Sequence, residues 1–166
     1  MKGTAMKQYT WRPANGTDVG AIVALAESHF QTEIDNIFTP SPLAYSRNIT
    51  YAVVNQFFSP NTELLYVVYD NDNLIGYTWA KACEYAPWSD DPMVSVRMVH
   101  LDLHLTSRDR VRLIQYMMQL WETFAYSINV KIICSTTMRR DQTAFLKLHE
   151  RNGYDVRGSY AYKKLV

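Results

Sequence analysis

Only two cysteines, six glycines and six prolines punctuate this 166-residue chain, and each scarcity narrows what it does. Cys83 and Cys134 lie in apolar, strand-like segments with no secretory pattern ahead of them. Reduced thiols in a cytoplasmic compartment are therefore expected, and no disulfide. No apolar run approaches the ~20 residues of a spanning helix, so no membrane partner is expected. Charge of one sign is missing too: the net charge is +1 with 20% charged residues. The basic groups Arg108/Arg110/Arg112, Arg139-Arg140 and Lys163-Lys164 are too small to neutralise a phosphate backbone, which argues against nucleic acid as a partner. No internal repeat or low-complexity segment is present.

What the chain does contain is alternating strand and helix patterning at a length suited to one domain. Residues 8–166 are expected to form it, with 1–7 a flexible N-terminus in which Met6 is an alternative start. Gln8 to Pro13 alternate as a strand, and Thr17-Asp18 offers an N-cap for a helix through about Phe30. A second helix is expected from Leu43 to Phe58, ended by Ser59-Pro60. Leu64 to Tyr69, the turn Asp70 to Asn73, and Leu74 to Cys83 read as a hairpin. After a loop from Tyr85 to Pro92, a strand from Val94 to about Leu105 leads into a helix from Asp109 to Ser127. Val130 to Ser135 is short and almost wholly apolar, which suits a central strand covered on both faces. A closing amphipathic helix stops at Asn152-Gly153, because glycine takes the left-handed conformation needed past a helix end. Tyr154, Val156, Tyr160 and Tyr162 then suggest a last strand.

Titratable residues concentrate in His100-Leu-Asp-Leu-His-Leu105. With side chains alternating along this strand, His100, Asp102 and His104 all project to one face. Such a face offers a general base, Asp102 or His104, with His100 as its support. It also offers metal ligands, although positions two apart on a strand are separated by about 7 Å, which disfavours one shared ion. His29, on the first helix, shows no partner in the sequence.

The ending Phe145-Leu-Lys-Leu-His-Glu-Arg-Asn-Gly-Tyr154 resembles the C-terminal signature of the GCN5-related N-acetyltransferases (GNATs), Asn-x-x-Ala, aliphatic, x, Leu-Tyr-x-Lys-x-Gly-Phe. Gln142 stands where the family has Asn and His149 where it has Tyr. Leu148, Arg151, Gly153 and Tyr154 match in kind. The wording looks most like divergent members encoded by bacterial viruses. The resemblance implies an α/β fold with a mixed, twisted sheet, helices on both faces, and the order strand, helix, helix, three strands, helix, strand, helix, strand. It also implies transfer of an acetyl group from acetyl-CoA to a primary amine by direct attack in a ternary complex.

Carried onto this chain, the resemblance assigns roles residue by residue. The family's pyrophosphate loop, Arg-x-x-Gly-x-Gly, corresponds to Leu105-Thr-Ser-Arg-Asp-Arg-Val-Arg-Leu-Ile114, which has no glycine and is shorter. Ser107, Arg108, Asp109 and Arg110 become the phosphate contacts, through helix-terminal amides and the two guanidinium groups. Pantetheine is expected along the backbone of Leu103 and Leu105, where the fourth and fifth strands splay, with Ser135 and Gln142 facing it. His149 takes the place of the tyrosine that protonates the leaving thiolate, and Tyr154 is the reserve donor. Phe38, Trp79, Glu84 and Trp88, with Tyr45, are candidates for an amine-binding pocket.

The acceptor is expected to be a small-molecule or peptide amine, and a homodimer is an expected assembly. Two rival readings stay open. One is a binding or structural module that keeps the frame after losing the pyrophosphate loop. The other is a metal-dependent enzyme centred on His100, Asp102 and His104.

Overall fold

A computed structural model describes residues 9–32, 38–139, 142–158 and 163. The elements are β1 (Thr10–Pro13), a 3-10 turn (Gly16–Asp18), α1 (Val19–Thr32), α2 (Pro42–Phe58), β2 (Glu63–Asp70), β3 (Asn73–Tyr85), β4 (Pro92–Leu101), α3 (Ser107–Ser127), β5 (Ile132–Ser135) and α4 (Thr143–Arg151). The five strands form one sheet in sequence order. β1 to β4 pair antiparallel, whereas β4 and β5 pair parallel, so the sheet is mixed.

Period-two alternation explains why both faces of this sheet are covered. On β2, Leu64 and Val68 enter one core, with Trp121 and Met117 of α3 and Leu148 of α4. Leu65 and Val67 point the other way, into a second core with Ile22 and Ala26 of α1 and Ile49 of α2. Neighbouring β2 positions thus feed opposite layers, as the pleat requires.

Local chemistry sets the element ends. Asn15 accepts from the Thr17 amide while the Asp18 carboxylate accepts from the Asn15 amide, a reciprocal cap that starts the first helical turn. Arg12 holds Asp18 through two bonds of 2.7 Å, which ties β1 to that turn. At the far end of the chain, Gly153 has φ of 84°. There the Tyr154 amide donates to His149 O at 3.1 Å and the Gly153 amide to Glu150 O at 3.1 Å. This is the paired Schellman closure that Asn152-Gly153 predicts.

Four expectations change. β4 stops at Leu101, because Asp102 turns its carboxylate onto the His104 amide at 2.9 Å, and the Leu105 amide donates back to Asp102 O. Among the described residues β5 is an edge strand rather than a central one, with Ile132 exposed. Cys83 is exposed at a β3 bulge with φ of 58°, not buried in a strand, although both cysteines remain unpaired thiols. Residues 154–158 form no strand, and the remainder of the expected last strand lies mostly outside the described residues, as does the N-terminal 1–7. No helix among the described residues is long and apolar enough to cross a membrane.

Candidate active site

The parallel pairing of β4 with β5 covers only Met93 to Val96 against Ile132 to Ser135. β4 then continues to Leu101 while β5 ends at Ser135, so among the described residues the two strands part and one edge of β4 has no strand partner. The His100 position pairs with Tyr77, and the Asp102 amide donates to Ile75 O, so these backbone groups face β3. By alternation, Val99 and Leu101 present theirs to the gap. The edge that faces the gap is therefore Val99 and Leu101. Leu103 and Leu105, which sequence reasoning placed there, lie in the following turn; Leu103 lines the gap and Leu105 packs on the core.

Both edge carbonyls are already satisfied from within the chain. His29 of α1 donates its Nε2 proton to Leu101 O. Arg139, from the segment between β5 and α4, donates to Val99 O at 3.3 Å, and the same nitrogen lies 3.5 Å from His29 Nδ1. With Arg110, Ile114 and Phe145 these side chains leave a cavity of only about 20 Å³. His29 is 1% exposed and stacks on His100, ring centres 4.3 Å apart and planes within 4°. His100 continues through Nδ1 to Tyr77 OH at 2.6 Å, and Tyr77 to Tyr45 OH at 2.8 Å. Burial, reinforced by the neighbouring His29 ring and the Arg139 guanidinium, holds His100 well below the ordinary histidine value. The same burial keeps both tyrosines protonated, Tyr45 and Tyr77 alike being pushed upward.

This chain of polar groups separates the three residues of His-x-Asp-x-His. His100 is buried in it, Asp102 caps the turn, and His104 is exposed. The premise that they share one strand face is thus overturned. The loss of that face also removes the geometry behind the metal reading, and no cluster suited to a metal occurs among the described residues.

At the mouth of the gap, α3 begins with Thr106 as N-cap. Its hydroxyl accepts from the Asp109 amide at 3.1 Å and donates to the Asp109 carboxylate at 2.7 Å. The cap uses one of the helix-terminal amides, leaving those of Ser107 and Arg108 as the first-turn donors without intrahelical partners. Arg108 is exposed and Arg110 lines the gap. Asp109 adds a negative charge at the same place.

On the β5 side, the Ser135 hydroxyl donates to His149 Nε2 at 3.0 Å, and His149 Nδ1–H donates to Phe145 O at 2.9 Å. The carbonyl can only accept, which fixes the tautomer. Packed against Phe145 and Tyr154, the ring is held below the ordinary histidine value by burial, against a smaller upward pull from the Phe145 carbonyl. Tyr154 is pushed up to about 12 by burial and by Glu122. Gln142 precedes α4 without capping it through its side chain.

The acceptor candidates are dispersed. Trp79 Nε1 donates to Glu63 at 2.7 Å beneath α2, and Glu84 pairs with Arg97 at 2.7 Å. Trp88 is 86% exposed, and Phe38 precedes α2. A second, far larger cavity of about 790 Å³ lies at the opposite end of β2, lined by Phe57, Phe58, Tyr66 and Phe124 and by none of these candidates. Its one carboxylate, Glu63, is bound by Trp79 and Asn55. Sequence reasoning missed His29 and Arg139 as neighbours, because their partners lie 72 and 110 residues away along the chain.

No protein-family model matches the sequence, and no curated protein does. Solved structures do resemble it. A predicted acetyltransferase with acetyl-CoA from Clostridium acetobutylicum superposes with a TM-score of 0.71 at 11% identity, over 95% of this chain and 96% of that one. The aminoglycoside antibiotic 6'-N-acetyltransferase AAC(6')-Ih from Acinetobacter baumannii gives 0.68 at 13% identity, over 96% and 100%. AAC(6')-Iy in complex with the bisubstrate analog CoA-S-monomethyl-acetylneamine gives 0.67 at 15%, over 96% and 99%. At these identities the likeness is one of architecture: this protein shares the fold of these acetyltransferases over nearly the whole of each chain.

Proposed function

We propose that the protein is an N-acetyltransferase that moves an acetyl group from acetyl-CoA to a primary amine by direct attack. The observation that carries this reading is the edge of β4 at Val99 and Leu101, which has no strand partner among the described residues and runs toward the start of α3 with Arg108 and Arg110 beside it. An extended chain of amides fits such an edge as an added strand. Phosphates fit a helix start flanked by guanidinium groups even without glycine, since the Ser107 and Arg108 amides remain and arginine adds charge-assisted bonds. Ser135 and His149 stand on the opposite wall, where the departing thiolate takes its proton through that pair. Gln142 and the backbone of Leu103 contribute to the same wall and mouth. Asp102 and His104 border the entrance, whereas the dispersed Phe38, Trp79, Glu84 and Trp88 form no single acceptor pocket around it. A small-molecule amine suits this site; the named neighbours that act on aminoglycosides support that class of acceptor.

A second reading has an observation of its own. Arg139 and Phe145 fill the gap to about 20 Å³ and the phosphate loop has no glycine, which favours a binding module that kept the frame and lost the cofactor. Calorimetric titration with CoA separates the two. Micromolar binding that weakens at least tenfold in the Arg108→Ala/Arg110→Ala double variant supports the transferase; no heat at millimolar CoA supports the module.

A further inference from the structure

We propose that His29 is the base that deprotonates the amine, and that Arg139 covers it until the β4 edge is filled. The inference rests on the acetyl-transfer reading and adds to it the identity of the proton acceptor. Three facts carry it. His29 Nε2 is committed to Leu101 O, so the neutral ring keeps its lone pair on Nδ1. His29 lines the gap, the one histidine among its described lining residues, and its Nδ1 meets the Arg139 side chain that also lines it. And the group now opposite Nδ1 is the Arg139 guanidinium, 3.5 Å away, which also occupies Val99 O.

The cover and the base are coupled by geometry. The Arg139 guanidinium occupies the side of the ring that carries the Nδ1 lone pair, so a substrate proton reaches Nδ1 only once Arg139 leaves. A ligand amide that donates to Val99 O displaces Arg139 from the same acceptor. Filling the edge therefore uncovers the base. The other titratable and charged groups around His29 among the described residues are His100 stacked against it on β4, Arg110 of α3 across the gap, and Tyr77 and Tyr45 behind His100 on β3 and α2.

The step balances as follows. One proton of the substrate ammonium passes to His29 Nδ1, and the freed nitrogen pair attacks the thioester carbonyl carbon. The carbon–nitrogen bond forms, the carbon–sulfur bond breaks, and the second amine proton ends on the thiolate. His29 does not bind the acyl group at any point.

The test uses the full chain, CoA calorimetry, and release of free thiol from acetyl-CoA with sisomicin and with spermidine as probe amines. His29→Gln, whose amide still donates to Leu101 O, is expected to lower kcat by about 100-fold or more while the CoA Kd stays within about threefold. An unchanged kcat overturns the assignment. Arg139→Ala is expected to bind CoA several-fold more tightly, since Val99 O is then open to the ligand. An unchanged Kd overturns the cover, and that measurement does not depend on how His29→Gln folds. Wild-type protein that binds no CoA sinks the acetyl-transfer reading itself. Protein that binds acetyl-CoA yet consumes it with neither amine has no competent base, and only the assignment of His29 falls.

Discussion

The Ser135 hydroxyl lies 3.0 Å from His149 Nε2, and this one bond joins the end of β5 to α4 across the wall of the gap. The ring's other nitrogen is spent on Phe145 O, so the serine is the donor that satisfies a nitrogen in a nearly inaccessible imidazole. Ser135→Ala leaves that lone pair unmet, at a cost of about 1–3 kcal/mol in urea denaturation. On the transferase reading the same variant lowers kcat with little change in CoA affinity. A variant as stable as wild type would show that water or another donor replaces the hydroxyl.

Acid sensitivity follows from the two buried rings. Burial depresses both His100 and His149, whereas the unfolded chain titrates each near the ordinary histidine value of about 6.5. Above that range both states are neutral and the two rings add no pH dependence. As the pH falls through it, the unfolded chain binds protons that the native chain refuses, and stability drops until the native values are reached. The slope is up to about 1.4 kcal/mol per pH unit for each ring. Thermal melts from pH 8 to pH 5 should show a declining midpoint, less steep in His149→Gln. A flat midpoint would mean that the rings are hydrated in the native state.

Features governed by neighbours in sequence were legible, and those governed by distant partners were not. The stop at Asn152-Gly153 depends on a backbone conformation that glycine favours, and it appears as a full Schellman closure. The β2–β3 hairpin turns where Asn71, with φ of 54°, takes the left-handed conformation that asparagine tolerates. The end of β4 was misread because Leu101, Leu103 and Leu105 prolong a period-two pattern past the true terminus. There the short Asp102 side chain competes for a backbone amide and wins. His29 and Arg139 gave no local signal: α1 reads as an ordinary amphipathic helix, and only the folded sheet brings its histidine to the β4 edge.

Asp109 makes opposite demands on stability and on anion binding. Its carboxylate completes the Thr106 cap and sits favourably at the start of α3, yet it places negative charge where phosphates would dock. Asp109→Asn should therefore cost roughly 0.3–1 kcal/mol of stability while tightening CoA several-fold at low salt. The gain should shrink at high salt as screening takes over. Calorimetry at two ionic strengths, beside a denaturation curve, checks both signs; weaker CoA binding in the variant would mean that the cap geometry, not the charge, governs the site.

Gly76 governs how closely β3 approaches the end of β4 where the gap begins. A Cβ built there would overlap Leu101 Cδ2 and lie 3.0 Å from His100 O and 3.1 Å from Val68 Cγ1. The side chains can turn away, but the carbonyl belongs to the strand backbone and moves only if β4 moves. That backbone also carries Leu101 O, the acceptor of His29, so crowding at Gly76 is transmitted to the edge. Gly76→Ala should cost about 1–3 kcal/mol, the usual range for overpacking. It should also broaden or shift the imidazole resonances of His29 and His100 relative to those of the exposed His104. A variant with wild-type stability and unmoved His29 signals would show that β3 and β4 separate without strain, and that the edge is not held in place from this side.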